Sequence, residues 1–289
     1  MKSRIFTCLW SAGIMLASLA FTIFIASRQK IFVEEQGIAS PDVQAAPVTL
    51  YFFAVVAVMA VILFFIPLNK LKYVFRILFT IMYGWGAFVI TALLVPDEIW
   101  WLAWLTAAVF GLGWLFYPRI WVQNVALLLA LCAAGSVFGF LFSPWTFMIF
   151  MLIVALYDFL AVRFGFMVWM ADRLSDTVSL PAFVFPRHTA DLSSPLSFAS
   201  VGEIKEQQPG TREFAILGGG DIGFPLMLVV SVYFAYDAAA AWLVGLFATA
   251  GLILAFVIQA VWLKGKPMPA LPPIAALSLI GWLITLAWL

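Results

Sequence analysis

The sequence is poor in charge, histidine and cysteine. Of its 289 residues, 10% are charged and 65% are hydrophobic, and the mean hydropathy is +1.11. A soluble domain carries about 25% charged residues, so this deficit excludes an ordinary soluble protein and predicts a polytopic membrane protein. The net charge of +1 gives no field that would favour nucleic acid as a partner. Cys8 and Cys132 lie in apolar stretches and offer neither a disulfide framework nor a metal-binding spacing.

Long apolar runs are what the sequence has in abundance. About 20 apolar residues cross a hydrocarbon core of about 30 Å, and nine stretches have this length. The first run, of about 22 residues, exceeds the apolar core of a cleavable signal peptide and is interpreted as a span. We therefore predict an all-α polytopic membrane protein with nine transmembrane helices. Their predicted ranges are 5–26, 48–66, 73–95, 99–117, 120–142, 145–164, 214–234, 238–262 and 268–288.

The connections between these spans divide the chain into three parts. Most links are very short, as at Ser143-Pro144, so sequential helices are expected to be antiparallel neighbours in one bundle. One long connection, residues 165–213, begins apolar and becomes polar and rich in Pro and Ser. The predicted parts are an N-terminal membrane part at 1–164, a partly mobile cytoplasmic loop at 165–213 and a C-terminal membrane part at 214–289.

The basic residues predict the orientation of the spans. If the N-terminus is cytoplasmic, 13 of the 15 Lys and Arg residues lie on the inner side, and only Arg28 and Lys30 lie outside. Cytoplasmic loops are enriched in Lys and Arg. The C-terminus is therefore predicted to be outside, and the 165–213 loop inside.

Two carboxylates remain within the predicted spans, Asp158 and Asp221, whereas the other 12 acidic residues lie in loops or at span ends. Both lie on sequential antiparallel spans, about 9–11 Å below the cytoplasmic surface at 1.5 Å per residue. An ionisable group at this depth is a functional candidate by default. The alternative for a single Asp is a neutral side chain that hydrogen-bonds between helices.

A facing pair of carboxylates has a defined chemistry. In a low-dielectric site both cannot be ionised cheaply, so the pair shares one proton. The ionised member can take a proton from water while the protonated member polarises a peptide carbonyl, as in aspartic proteases. This chemistry needs no metal and no cofactor, and none is predicted. A zinc site of the His-Glu-x-x-His type is excluded because His188 is the single histidine.

Glycine and proline interrupt the start of span seven and the entry to span nine. Gly218, Gly219 and Gly220 precede Asp221, and each costs about 1 kcal/mol against Ala within a helix. Pro225 has no N–H to bond the carbonyl of residue 221. Irregular backbone in a bilayer is tolerated where it is buried in protein or lines a wet cavity. We expect another backbone to approach Asp221 closely, although plain helix packing through small residues is the alternative.

The prolines before span nine suggest a second irregular segment. Pro267, Pro269, Pro272 and Pro273 are predicted to keep this entry extended rather than helical.

Three short motifs together resemble the presenilin and signal peptide peptidase family. They are Tyr157-Asp158 in span six, Gly218-Gly219-Gly220-Asp221 in span seven and Pro269-Ala270-Leu271 before span nine. Their order, their spacing and the long loop after span six also match, so the resemblance covers essentially the whole chain. The small size and short loops are typical of a prokaryotic, in particular archaeal, presenilin-like homologue.

The resemblance implies intramembrane aspartyl proteolysis with Asp158 and Asp221 as the catalytic pair. It also implies that Pro269, Ala270 and Leu271 approach the site and help to hold an extended substrate. Exposed backbone at the glycines could pair with an unwound substrate as an added strand. The loop would be cytoplasmic, as in presenilins, and the stretch "SLPAFVFP" would be a candidate for self-cleavage.

Two other functions compete with this interpretation. A prepilin-peptidase-like protease also carries a Gly-x-Gly-Asp motif, and a proton or cation transporter or leak channel could use the same two Asp residues. The predicted partners are transmembrane-helix substrates, either single-span proteins or signal-peptide remnants, together with membrane lipid. The predicted location is the prokaryotic cell membrane, with the active site near the cytoplasmic side. The sequence predicts no oligomeric state.

Overall fold

The computed structural model describes residues 2–38, 44–65, 68–165, 181–186, 189–196, 214–263 and 268–288. In these residues the chain forms nine α-helices, and each overlaps one predicted span. Their bounds are α1 Lys2–Glu35, α2 Ala45–Phe65, α3 Leu68–Leu94, α4 Trp101–Phe116, α5 Ile120–Leu141, α6 Pro144–Arg163, α7 Gly219–Ala235, α8 Ala238–Val261 and α9 Leu271–Trp288. The predicted helical character of the fold is thus confirmed.

Seven of these helices are long and apolar enough to cross a membrane. The remaining two, α4 with 16 residues and α7 with 17, are apolar but shorter. The helix α1 is longer than predicted, because it continues through Arg28 and Lys30 to Glu35. Charged residues end an apolar run without ending a helix, since Lys, Arg, Glu and Gln all have good helix propensity.

A two-stranded antiparallel sheet lies between α6 and α7 in sequence and corrects the predicted start of span seven. The strand β1 covers Ala182–Pro186 and β2 covers Phe214–Gly218. Their register pairs Ala182 with Gly218 and Pro186 with Phe214. The prediction that residues 214–218 begin a transmembrane helix is therefore wrong. The apolar stretch "FAILG" continues into α7 without a polar break, so hydropathy alone cannot separate the strand from the helix.

The chain divides into two compact units. The first comprises residues 1–49, 131–162 and 220–289, and the second comprises residues 50–130 and 163–219. The first unit contains α6, most of α7, α8 and α9, and therefore both intramembrane carboxylates. The second contains α3, α4 and both strands.

Glycines set the helix packing within the second unit. A Cβ atom added at Gly84 would lie 3.0 Å from the carbonyl oxygen of Ala107, and one added at Gly111 would lie 2.9 Å from that of Thr80. A Cβ added at Gly86 would lie 2.4 Å from the Cα of Ala130. At these points α3 approaches α4 and α5 backbone to backbone, as small residues allow in membrane bundles.

A buried polar cluster joins the same three helices. The Gln123 side chain accepts a hydrogen bond from Trp114 Nε1 (2.6 Å) and donates one to the Tyr83 hydroxyl (2.7 Å). All three side chains are at most 2% exposed. Buried polar groups are costly unless they are paired, so this cluster fixes the register of α3, α4 and α5.

Candidate active site

Asp158 lies near the C-terminal end of α6, on the buried side of that helix. Its side chain is 8% exposed. The buried residues of α6 recur at helical spacing and include Phe150, Met151, Val154 and Ala155 before Asp158. The carboxylate therefore points into the first unit and not towards the lipid.

The carboxylate of Asp158 is held by backbone from α9. The N–H of Leu271, the first residue of α9, donates a hydrogen bond to it. Leu271 is buried, and Pro269 and Ala270 are half-buried and non-helical. The first N–H groups of a helix have no intrahelical partner, so Leu271 can make this bond without breaking the helix. The structure thus places Leu271, the last residue of the Pro269-Ala270-Leu271 segment, at Asp158.

The prediction for the prolines around this segment is wrong in one respect. Pro272 and Pro273 were predicted to keep the entry to span nine extended, but they lie in the first turn of α9. Proline is tolerated there because its missing N–H would have no intrahelical acceptor and its fixed φ suits a helix. The non-helical part is confined to residues 268–270 of the described segment, and Pro267 lies outside the described residues.

Helices α6 and α9 lie side by side. Besides the Asp158–Leu271 bond, the rings of Trp145 and Trp282 meet edge to face with centroids 4.5 Å apart. Trp145 precedes Asp158 by 13 residues and Trp282 follows Leu271 by 11, so the two helices are antiparallel over about 16–20 Å at 1.5 Å per residue. This long contact positions the α9 N-terminus against Asp158.

Asp221 lies in the first turn of α7 and is half-buried. Its neighbour one turn along, Phe224, packs edge to face on Phe150 of α6 with centroids 5.8 Å apart. Side chains three apart share a helix face, so Asp221 lies on the side of α7 that meets α6. Phe150 belongs to the same buried stripe of α6 as Asp158. The contact between Phe150 and Phe224 lies eight residues before Asp158 on α6 and three residues after Asp221 on α7.

The three glycines before Asp221 form the change from strand to helix. Gly218 ends β2, and Gly219 and Gly220 begin α7. The Gly219 N–H donates to the Pro181 carbonyl at 2.8 Å, which extends the strand pairing by one more residue. A Cβ added at Gly220 would first meet ring atoms of Phe224, at 3.3 and 3.6 Å. The backbone of β1 therefore approaches Gly218 and Gly219, whereas in the described part of the chain no other backbone lies within 4 Å of a Cβ added at Gly220.

A close backbone approach does occur at Gly251, which the sequence analysis did not single out. A Cβ added at Gly251 of α8 would lie 2.6 Å from the Cα of Ile274 and 2.8 Å from the Pro273 carbonyl oxygen. Both atoms belong to the first turn of α9. The helix α8 therefore packs closely, at Gly251, against the turn of α9 that contains the Leu271 N–H.

Comparison with known proteins identifies the family of the chain. The family described as signal-peptide peptidase, presenilin aspartyl protease, matches residues 12–288. The chain belongs to this family. It is a multi-pass membrane protein and an intramembrane-cleaving aspartyl endopeptidase.

Solved structures show the same fold. Two crystal forms of a presenilin family intramembrane aspartate protease, in space groups C222 and P2, superpose with TM-scores of 0.61 and 0.59. Each is 19% identical to this chain and covers 96% of it, and the chain covers 98% and 97% of those structures. A search of curated proteins returned no match.

The sequence analysis of this presenilin-family protease also considered Tyr157, a metal site and His188. Tyr157 precedes Asp158 and is half-buried. The described residues contain no group of three or more His, Cys, Asp or Glu side chains arranged to hold a metal ion. His188 lies outside the residues that the structure describes.

The sequence analysis did not single out Asn124, a polar residue of the protease that contacts the β1–β2 hairpin. Asn124 of α5 forms two hydrogen bonds with the backbone of Val184 in β1. Its signal was available, because Gln123 and Asn124 are adjacent amides at the start of an otherwise apolar span. Polar residues within such a span are expected to have partners.

Proposed function

We propose that Asp158 and Asp221 are the catalytic pair of this protease. The observation that carries the proposal is the Asp158 carboxylate, buried on α6 and hydrogen-bonded by the Leu271 N–H. Asp221 is carried on the α7 side that packs against α6 through Phe224 and Phe150. A donor N–H fixes the carboxyl group in one orientation, which general acid–base catalysis requires.

The reaction follows from two acids that share a proton. The ionised carboxylate takes a proton from a water molecule while the water oxygen attacks the peptide carbonyl carbon. The protonated carboxyl gives its proton to the carbonyl oxygen, which yields a neutral tetrahedral intermediate. A proton then passes to the peptide nitrogen, the C–N bond breaks, and a new carboxyl end and a new amino end are released.

Substrate backbone has a natural docking position on β2. Antiparallel pairs alternate between hydrogen-bonded and outward-directed residues. Because Gly219 bonds Pro181, the outward-directed residues of β2 are Phe214, Ile216 and Gly218. In the described residues the sheet consists of β1 and β2 alone, and both Ile216 and Gly218 are exposed. We propose that an unwound transmembrane segment adds to this edge as a third strand.

The edge of β2 is close to Asp221 along the chain. Gly219 and Gly220 alone separate β2 from Asp221, so the strand edge ends at most about 10 Å along the chain from the carboxylate residue. A transmembrane helix satisfies its own backbone, and strand addition supplies replacement bonds when it unwinds. The substrates proposed are therefore transmembrane helices of single-span proteins or remnants of signal peptides.

We also propose the orientation. Nine crossings with a cytoplasmic N-terminus place 13 of the 15 basic residues inside, together with the segment that contains β1 and β2. Asp158, near the end of α6, and Asp221, in the first turn of α7, then lie towards the cytoplasmic side. The membrane proposed is that of a prokaryotic cell.

The catalytic pair can be tested with two isosteric variants. The purified protein, Asp158→Asn and Asp221→Asn are each incubated in detergent with a synthetic transmembrane peptide, and cleavage products are identified by mass spectrometry. We expect cleavage by the parent alone, because an amide can neither take the proton from water nor supply the shared one. Full activity in either variant would remove that residue from the pair.

A further inference from the structure

The outer edge of β1 is occupied, although no strand lies there in the described residues. The Gly219–Pro181 bond fixes which residues of β1 face β2, namely Phe183 and Phe185. Val184, between them, directs its backbone N–H and C=O away from β2. Both groups are satisfied, because Val184 N–H donates to Asn124 Oδ1 at 2.9 Å and Asn124 Nδ2 donates to the Val184 carbonyl at 2.8 Å.

The Asn124 amide therefore imitates one residue of a third strand. An amide carries a donor and an acceptor side by side, which matches the N–H and C=O that a strand residue presents at its edge. Ala182 and Pro186 are the other outward-directed residues of β1, and Pro186 has no N–H. With Val184 paired, the β1 edge offers little for another strand to bond.

Asn124 is itself held rigidly. The preceding residue, Gln123, is fixed by Tyr83 and Trp114 from two other helices. The start of α5 is also tied to the segment after β1, since Ile120 N–H donates to the Ser194 carbonyl at 3.2 Å. Leu196 N–H donates to the Pro118 carbonyl at 2.9 Å.

An apolar contact completes this attachment. The side chains of Ile120, Val184 and Leu196 form a buried cluster, with Leu192 packed against it. Polar and apolar contacts thus fasten β1 to one end of α5 within the same compact unit.

We infer that Asn124 is a positioning residue that closes the β1 edge and holds the hairpin paired, so that β2 presents the open edge to the substrate. The inference rests on the proposed strand addition at β2. A hairpin paired in advance spares the substrate the entropic cost of ordering it, so Asn124 contributes to substrate binding. The loss of Asn124 should therefore raise KM and leave kcat nearly unchanged.

The test uses Asn124→Asp and Asn124→Leu in the full-length protein. Asp keeps the acceptor for the Val184 N–H but sets an oxygen against the Val184 carbonyl, and Leu keeps the volume but removes both bonds. We expect KM for a synthetic transmembrane peptide to rise about tenfold in each variant, as for one lost hydrogen bond, with kcat within about twofold of the parent. Hydrogen exchange in peptides covering residues 182–186 should become faster.

A matched control removes a comparable hydrogen bond elsewhere in the same unit. Thr106→Val breaks the bond from Thr106 to Thr91, at 2.9 Å between α4 and α3, and should leave KM unchanged. If one Asn124 variant fails to fold, the other carries the same prediction. Faster exchange at 182–186 with unchanged KM would overturn the inference, and so would an equal rise of KM in Thr106→Val. Neither result bears on Asp158→Asn and Asp221→Asn, whose activity tests the catalytic pair separately.

Discussion

Replacing Gly251 with Ala should lower the rate of catalysis. The added Cβ would lie 2.6 Å from the Cα of Ile274 and 2.8 Å from the Pro273 carbonyl oxygen, whereas ordinary contacts begin at 3.4 Å. The difference is 0.8 Å for Ile274 (3.4 minus 2.6) and 0.6 Å for Pro273 (3.4 minus 2.8). Both of these atoms belong to the backbone, so the first turn of α9 must shift by about this amount.

This shift would reach the Asp158 carboxylate directly. Leu271 precedes Ile274 by three residues in the same helical turn and donates its N–H to Asp158. A hydrogen bond lengthened from about 2.9 Å to about 3.6 Å is no longer a hydrogen bond. Misplacing a catalytic group by about 1 Å can cost about 100-fold in rate. We therefore expect kcat to fall by about 10- to 100-fold.

The assay compares Gly251→Ala with Gly281→Ala. Gly281 joins the same two helices, where an added Cβ would lie 2.8 Å from the Cβ of Phe247, a side-chain contact remote from Leu271 along α9. Both variants are assayed for kcat, KM and melting temperature in the same detergent. The reasoning is refuted if Gly251→Ala keeps the parental kcat, or if Gly281→Ala loses as much kcat at an equal loss of melting temperature.

Three further substitutions test other parts of the structure. Ile216→Pro removes an outward-directed N–H from β2 and leaves the β1–β2 pairing intact, so KM for a transmembrane peptide should rise about tenfold. An unchanged KM would argue against strand addition at this edge. Gly86→Ala sets a Cβ 2.4 Å from the Cα of Ala130 and should cost about 1–3 kcal/mol of stability, measured as a lower melting temperature with KM unchanged. Gln123→Leu leaves the buried Tyr83 hydroxyl and Trp114 Nε1 without this partner and should cost about 2–4 kcal/mol in the same measurement, whereas an unchanged melting temperature would mean that the cluster contributes little.

The helices of this protein could be predicted closely from hydropathy, because backbone in a bilayer must satisfy itself and an apolar run of about 20 residues has few alternatives. The helix α5 was predicted at 120–142 and is found at Ile120–Leu141. The two carboxylates were equally visible, since charge within such runs is rare. The meeting of Leu271 with Asp158 followed only from the family resemblance.

The features that were missed depend on contacts between segments distant in sequence. The strand β2 needs β1 as its partner, and the apolar stretch that contains it looks like the start of a helix. Gly251 resembles any other glycine in α8 until Ile274 is placed beside it. Asn124 becomes meaningful when Val184, 60 residues away in sequence, is found opposite its amide. Hydropathy is assigned to one stretch of sequence at a time, whereas each of these features depends on two segments that meet in the folded structure.

The helix α2 differs from the other long apolar helices in how little of it is buried. Considering the described residues alone, none of its apolar window, Ala45–Ile62, is buried, whereas the windows of the other six long apolar helices are 33–50% buried. More of the α2 surface is therefore available to acyl chains than in the other long apolar helices of the described residues. We therefore expect bilayer thickness and detergent chain length to affect this protein, so that activities measured in one amphiphile need not transfer to another.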